Sequence, residues 1–464
     1  MVDSKGREFS YGQAWSIVKK IAAGLMNRQG IVARNTIMVE CNQNAEFLFI
    51  NFACELIGAI FIPVEAEASV ERKSLICKET KSVLWLYNCE PLEFITSIEQ
   101  KSTLLWNEEN MPVMFPDRHV ITQILYTTGT TGKSKGIALT NMANMALAEN
   151  IKYGVNMKED NVELIPLPIS HSHGLRCCYA NLLNGSTIVL TDGLLRIKDI
   201  FRMFDQYSIS AMDLSPGAVE LLLKLSKGKF WEYGRRLDYI QIGTASLSEE
   251  LKEKLINELD GVRLYNFYGS TESGRSCVFE FSKNLGMKNC IGRATKNAEI
   301  MFADEEGNAM QATREKPGLL ASKGPMNMQC YWGNPELTKQ VLREGYVFTN
   351  DLGYIDSNGY IFVLGRNDDV INCNGIKIAP EEIEDVAKEY EGVLDAACVP
   401  RKDVIAGQVP KLFIQVVKQE QFLLGEFAKY LGNRLDGNKV PKEIVFAEKI
   451  PRTFNGKIQR NKLM

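Results

Sequence analysis

The chain has 464 residues, with 54 Lys and Arg against 57 Asp and Glu and a formal charge of −3. That balance gives no reason to expect a nucleic-acid partner, and 45% hydrophobic with 24% charged residues describes a folded chain, not a disordered one. Eleven Cys without a C-x-x-C pair indicate reduced thiols in a cytoplasmic protein, and three His (His119, His171, His173) exclude a His-rich metal site.

The N-terminus, MVDSKGREFSYGQ, has no apolar signal region. Residues 9–29 carry apolar side chains at helical spacing behind Ser10, an N-cap residue. The most apolar stretch, 47–64, contains Asn51 and Glu55 and is broken by Gly58 and Pro63. It reads as a buried helix running into a buried strand, with no membrane span. Segments 36–41, 59–64, 82–87 and 186–191 read as strands, and 46–57, 197–208 and 249–259 as helices. That alternation is the pattern of α/β layers on largely parallel sheets.

Across 290–365 the texture changes to turn clusters between short strands, which predicts a small β-barrel-like module. The last hundred residues read as a separate small α+β domain. It has a strand pair near 370–379, a helix starting at Pro380 with Glu381 and Glu382, a strand at KLFIQVV and a helix at 421–433.

The most informative segment is YTTGTTGKSKG, 126–136, behind the apolar strand ITQILY. Glycines, hydroxyls and lysines gathered on one loop suit a polyphosphate. A P-loop reading fails on spacing, because Thr127 stands where that motif requires its first Gly.

This loop resembles the phosphate loop of the adenylate-forming superfamily, with Thr128 and Ser134 in place of the usual Ser and Pro. That superfamily comprises acyl-CoA synthetases, aryl-CoA ligases, luciferases and peptide-synthetase adenylation domains. Five more resemblances follow in the family's order: GTASLS (243–248), NFYGSTES (266–273), FTNDLG (348–353), GRNDDVINCNGIKIAPEEIE (365–384) and NGKIQR (455–460). Asn350 departs from the usual Gly, and Leu319 stands where Glu is common.

The resemblance implies an AMP-binding (adenylation) domain over 1–366 and a mobile C-terminal domain over 367–464, joined by a hinge at Asp368. It implies that Thr127, Thr128, Gly129, Thr130, Thr131, Gly132 and Lys135 hold phosphates. Gly243, Thr244 and Ala245 would lie along the adenine and acyl-phosphate, beside Asn266, Tyr268 and Gly269, with Tyr268 stacking on adenine. Thr271 would contact the α-phosphate, Glu272 would ligate Mg²⁺, and Asp351 and Arg366 would grip the ribose. Lys457 would be the catalytic lysine, and Gly375 and Lys377 would line the thiol tunnel.

The loop LPISHSHGL (167–175) matches the family's pocket loop, so His171 would gate the site, and His173 would line the acid pocket with Gly243. The F-D-x-S-type segment of amino-acid-activating relatives is missing here, although Asp213 lies in another pocket-forming stretch. The implied function is an ATP- and Mg²⁺-dependent carboxylic acid–CoA ligase acting through an acyl-adenylate. The alternatives are loading of a carrier protein's phosphopantetheine and amino-acid adenylation.

Overall fold

The structure is a computed structural model that describes residues 1–86, 117–128, 134–245, 247–284, 286–367, 369–373, 376–404, 406–452 and 458–464. It divides into two compact units. The first comprises 1–287, 292–300 and 322–347, and the second 288–291, 301–321 and 348–464.

The first unit opens with α1 (Tyr11–Gln29). Ser10 accepts from the Gln13 amide while the Gln13 side chain accepts from the Ser10 amide, a reciprocal capping box. Strand β1 (Thr36–Cys41), α2 (Ala45–Leu56), β2 (Ile60–Glu65), α3 (Val70–Thr80) and β3 (Leu84–Leu86) follow. The hairpin β4 (Ile121–Thr128) and β5 (Ser134–Thr140) completes one sheet, ordered Cys330–Tyr331, β5, β4, β2, β1, β3. Strands β1 to β4 pair in parallel, and every residue of β1 is buried. That burial explains why these strands read as unbroken apolar runs instead of alternating ones.

Then come α4 (Asn141–Gly154), β6 (Val162–Ile165), α5 (Ser172–Asn184), β7 (Thr187–Leu190), α6 (Ile197–Tyr207), β8 (Ala211–Leu214) and α7 (Pro216–Ser226). A short α8 (Phe230–Gly234), β9 (Tyr239–Ile242), α9 (Glu249–Glu258), β10 (Arg263–Ser270) and β11 (Gly274–Glu280) follow. In this second sheet the strands run β11–β10–β9–β8–β6–β7, parallel except for the β10–β11 hairpin. One apolar cluster joins helices to both sheets, with Leu25, Phe47, Ile50, Ile151 and Leu175 packed with Phe61, Leu190 and Tyr239. The apolar stretch 47–64 is therefore a buried helix leading into a buried strand, as its broken pattern predicts. No helix among the described residues is long and apolar enough to cross a membrane.

Of the later strands, Glu299–Ala303, Gly318–Lys323, Tyr346–Ile355, Ile361–Arg366 and Cys290–Ala294 pair in that order. The run is open, and no barrel closes among the described residues, so the barrel-like expectation gives way to an open sheet. A hairpin (Ile371–Cys373 with Ile376–Ile378) leads to the helix Pro380–Lys388. The long antiparallel pair Val393–Asp403 and Gly407–Val416 takes Glu443–Phe446 alongside in parallel. Ile383, Leu412, Phe427 and Leu431 form its core, the last two from the helix Leu424–Arg434.

Candidate active site

The Gly/Thr loop lies at the turn of the β4–β5 hairpin. Thr127 stands opposite Lys135, and the backbone of Thr128 opposite Ser134. A second strand thus separates the loop from the following helix, which begins at Asn141 with Thr140 as its N-cap. Gly129, Thr130, Thr131 and Gly132 lie outside the described residues. The Lys135 ammonium sits over the Tyr331 ring, 5.7 Å from its centroid. The Tyr331 hydroxyl donates to Glu272 Oε1 at 2.8 Å. One aromatic ring therefore links the base of the β4–β5 hairpin to the acidic residue at the β10–β11 turn.

That turn, 271–273, carries Thr271 and Glu272, both half-buried. Ser270 and Ser273 brace it: the Ser270 amide donates to Ser273 Oγ and the Ser273 amide to Ser270 Oγ. Gly269 is required here, because a Cβ would fall 1.8 Å from the Gly274 carbonyl oxygen. Among the described residues, Glu272 Oε2 has no partner. A single carboxylate with one open oxygen, joined through Tyr331 to Lys135, fits Mg²⁺, which takes few protein ligands and draws the rest from phosphates and water.

Gly243–Ala245 leave the end of β9, and Asn266 pairs with Ile242 on the next strand. Thr244 holds φ at 80°, a left-handed backbone unusual for a β-branched residue. Among the described residues, its hydroxyl and the Asn266 side-chain oxygen are buried without partners. Buried polar atoms are nearly always hydrogen-bonded, so these two mark places where a ligand completes the set. Tyr268 follows on β10, half-buried.

His171 is the N-cap of α5, and its Nε2 lies 3.3 Å from Glu65 Oε1 at the end of β2. Burial, against the pull of Glu65, holds its pKa below the ordinary value. His173, in the first turn of α5, packs its Cε1–Nδ1 edge on Gly243, where a Cβ would come within 2.6 Å of Cε1. Its Nε2 lies 2.7 Å from Asp213 Oδ1 on β8. Burial and the Arg275 charge keep this imidazole below its usual pKa.

Behind His173 lies a buried polar network. Arg275 donates to Gln241 Oε1 at 2.5 Å and reaches Cys177 Sγ at 3.0 Å and Asp213 Oδ1 at 3.7 Å. Gln241 and Asn181 donate to Glu163, whose carboxyl is pushed up to about 7 by burial and then by the Asp213 charge. The ligand atoms of His173, Cys177 and Asp213 lie within 4.8 Å of one another. In sequence, H-S-H has no such companions beside it; the fold supplies them. A guanidinium already stands among these atoms, and burial raises the Cys177 thiol well above its usual pKa. Both facts disfavour a metal cation there.

The AMP-binding enzyme family matches residues 1–332, and the AMP-binding enzyme C-terminal domain family matches residues 382–457. The chain belongs to the AMP-binding enzymes. It is 25% identical to 4-coumarate–CoA ligase 3 of Arabidopsis thaliana over 100% of its own length and 87% of that protein. It is 32% identical to the 2-succinylbenzoate–CoA ligase of Listeria monocytogenes over 73% of its own length and 69% of the relative. Its fold is that of ATP-bound MatB from Rhodopseudomonas palustris, with a TM-score of 0.86, 21% identity, and 99% and 94% of the two chains covered.

In this AMP-binding enzyme the first unit brings together Lys135 and Glu272 through Tyr331, and His173 with Gly243. In the second unit, Asp351 and Arg366 are register partners, with Arg366 Nη1 3.4 Å from Asp351 Oδ1. Asn350 has φ 63°, which explains how Asn serves where Gly is usual, since Asn tolerates the left-handed region. Lys377 lies on the strand Ile376–Ile378. Asp368, Gly375 and Lys457 lie outside the described residues. Sequence reasoning missed Tyr331, Arg275, Gln241 and Glu163, because nothing local distinguishes them; only the pairing of distant strands gives them partners.

Proposed function

We propose that this AMP-binding enzyme is an ATP-dependent carboxylic acid–CoA ligase that forms an acyl-adenylate and then a thioester. The observation that carries the reading is the line Lys135–Tyr331–Glu272, which joins a cation on the strand leaving the Gly/Thr loop to a carboxylate with an open oxygen. The matching family and the CoA-ligase relatives support it.

A carboxylate oxygen attacks the α-phosphorus, the bond to the β-phosphate breaks, and pyrophosphate leaves. Both reactants are anionic, so the chain must position them and offset charge. Thr127, Lys135 and the loop residues through Gly132 hold the β- and γ-phosphates. Bound Mg²⁺ neutralises phosphate charge, and Glu272 is the residue that would hold it. Thr244 and Asn266 offer their unpartnered atoms to the nucleotide or acyl-phosphate, and Tyr268 stacks on the adenine. Asp351 and Arg366 take the ribose hydroxyls. Lys457 stabilises the transition state of this first step.

In the second step a thiolate attacks the acyl carbon and AMP leaves, the thiol proton passing to solvent. The C-terminal domain, 367–464, turns about Asp368 between the steps, withdrawing Lys457 and presenting Gly375 and Lys377 to the pantetheine. His171 gates the site, and the acid pocket takes a small or medium acyl or aryl acid. Asp213 is fully buried and engaged by His173, which leaves no exposed carboxylate there for an α-ammonium.

Lys457→Ala is expected to slow acid-dependent pyrophosphate release by about 10²–10³. It is expected to spare thioester formation from pre-made acyl-adenylate. Gly375→Leu is expected to do the reverse. Equal loss of both steps in either folded variant contradicts the two-step division. A carrier-protein acceptor would show as adenylation without transfer to free CoA.

A further inference from the structure

The residues that flank Lys457 are fastened on both sides. Arg452 and Ile458, which bound the segment 453–457, form an antiparallel bridge. The Gln459 amide donates to the Pro451 carbonyl at 2.8 Å. Arg452 makes a two-pronged ion pair with Asp395, Nε to Oδ2 at 2.9 Å and Nη2 to Oδ1 at 2.7 Å. On the other side stands Arg460, three residues beyond Lys457 and only 8% exposed.

Arg460 reaches further than Arg452 does. Its Nε donates to the Cys398 carbonyl at 3.1 Å, and its Nη1 to Asp369 Oδ2 at 3.0 Å. Its Nη2 donates to Glu381 Oε1 at 3.0 Å and to Glu384 Oε1 at 2.8 Å. The Cys398 amide braces Glu384 at 2.7 Å. One guanidinium thus joins the C-terminal tail to the strand Val393–Asp403, to the helix Pro380–Lys388 and to Asp369, which directly follows the proposed pivot in sequence. Burial raises both glutamates, Glu381 to about 7, so near neutrality three full negative charges do not face one positive charge. The fixed fork of donors that meets several acceptors at once belongs to Arg and not to Lys.

We propose that Arg460 is a positioning residue for the first step, tying the segment that carries Lys457 to Asp369 and to the helix Pro380–Lys388 so that the lysine and the pivot turn as one body. This rests on the reading of Lys457 as the group that serves adenylate formation and of Asp368 as the hinge. A lysine ammonium rides on a flexible four-carbon stem, so its placement depends on how firmly its backbone is held. Misplacement by about 1 Å can cost about 10² in rate. The second step draws on Gly375 and Lys377, in a different segment, and does not depend on this tie.

The test uses the full chain with ATP, Mg²⁺ and an accepted acid. Pyrophosphate release with hydroxylamine as acceptor reads the first step, and thioester formation from pre-made acyl-adenylate reads the second. Asp369→Ala is the principal variant, because Asp369 is 22% exposed and its removal leaves Arg460 paired with both glutamates. Its kcat for pyrophosphate release should fall by about tenfold, the scale of one charge-assisted hydrogen bond, with KM for ATP unchanged. Thioester formation from the adenylate should hold at the wild-type rate. Asp369→Asn keeps an oxygen for Nη1 and should recover most of the loss. Arg460→Lys should cost the first step about 10², and thermal melts show which variants are folded. A folded Asp369→Ala with wild-type kcat, or with both steps reduced equally, overturns the inference. The ligase reading then still stands if Lys457→Ala slows release in the same assay. No release from the wild type with any acid overturns both.

Discussion

The Tyr331 hydroxyl donates to Glu272 Oε1 at 2.8 Å while the Lys135 ammonium lies over the same ring. Tyr331 thus aims the carboxylate and joins it to the hairpin assigned to the phosphates. Its phenol is held well above its usual pKa by burial and then by Glu272, so it remains a donor throughout the working range. Tyr331→Phe keeps the ring and removes the donor. The Mg²⁺ concentration for half-maximal pyrophosphate release should rise by about tenfold, the usual effect of losing a group that orients a metal ligand. A Mg²⁺ titration checks this, and an unchanged midpoint with an unchanged rate would remove Tyr331 from the site.

Thr244 sits at φ 80° with a buried hydroxyl that has no partner among the described residues. Strain of this kind costs about 1–3 kcal/mol and persists where the site needs it. Thr244→Gly relieves it, though the greater freedom of Gly in the unfolded chain cancels part of the gain. The melting temperature should rise slightly, while KM for ATP or the acid rises several-fold. Thermal melts and steady-state kinetics on the same preparation separate the two effects. A variant that is both less stable and fully active contradicts this assignment.

Glu55 and Glu163 are each pushed up to about 7, in both cases first by burial. A carboxyl whose folded pKa lies above its unfolded value contributes stability that is present at low pH and lost as pH rises through about 7. His171 and His173, both lowered, act in the opposite sense and cost stability as pH falls below about 6.5. The imidazoles oppose the carboxyls below about pH 6.5, so the net loss of stability should show as pH rises from about 6.5 through 7. Glu163→Gln should flatten the alkaline side of that curve. Denaturant unfolding from pH 5 to 8 measures the slope, and a variant curve parallel to the wild type would contradict the role given to Glu163.

Asp368→Pro fixes φ near −65° at the proposed pivot. One half-reaction should survive and the complete cycle should collapse, as read by pyrophosphate release and by thioester formation from pre-made adenylate. Equal loss of both in a folded variant places the pivot elsewhere.

Strongly patterned elements were legible in the sequence. Ser10 begins α1, TIMVEC is β1, and 47–64 is a helix and a strand. The setting of the Gly/Thr loop was only half legible, because SKGIALT pairs back onto β4 as a strand before the helix begins. The polar network behind His173 was not legible. Asp213 and Gln241 are direct register partners on β8 and β9, with Arg275 on β11 and Glu163 on β6. No local pattern connects residues whose contact depends on strand order. The sequence displayed His173 but not the carboxylate that orients it.

The most direct test of the whole account is the product balance of the full chain with ATP, Mg²⁺ and a panel of fatty, aryl and amino acids, run with hydroxylamine and then with CoA. The account predicts acid-dependent AMP and pyrophosphate in equal amounts, a hydroxamate in the absence of CoA, and an acyl-CoA thioester when CoA is supplied. ADP and phosphate as products, or turnover confined to α-amino acids, would contradict it.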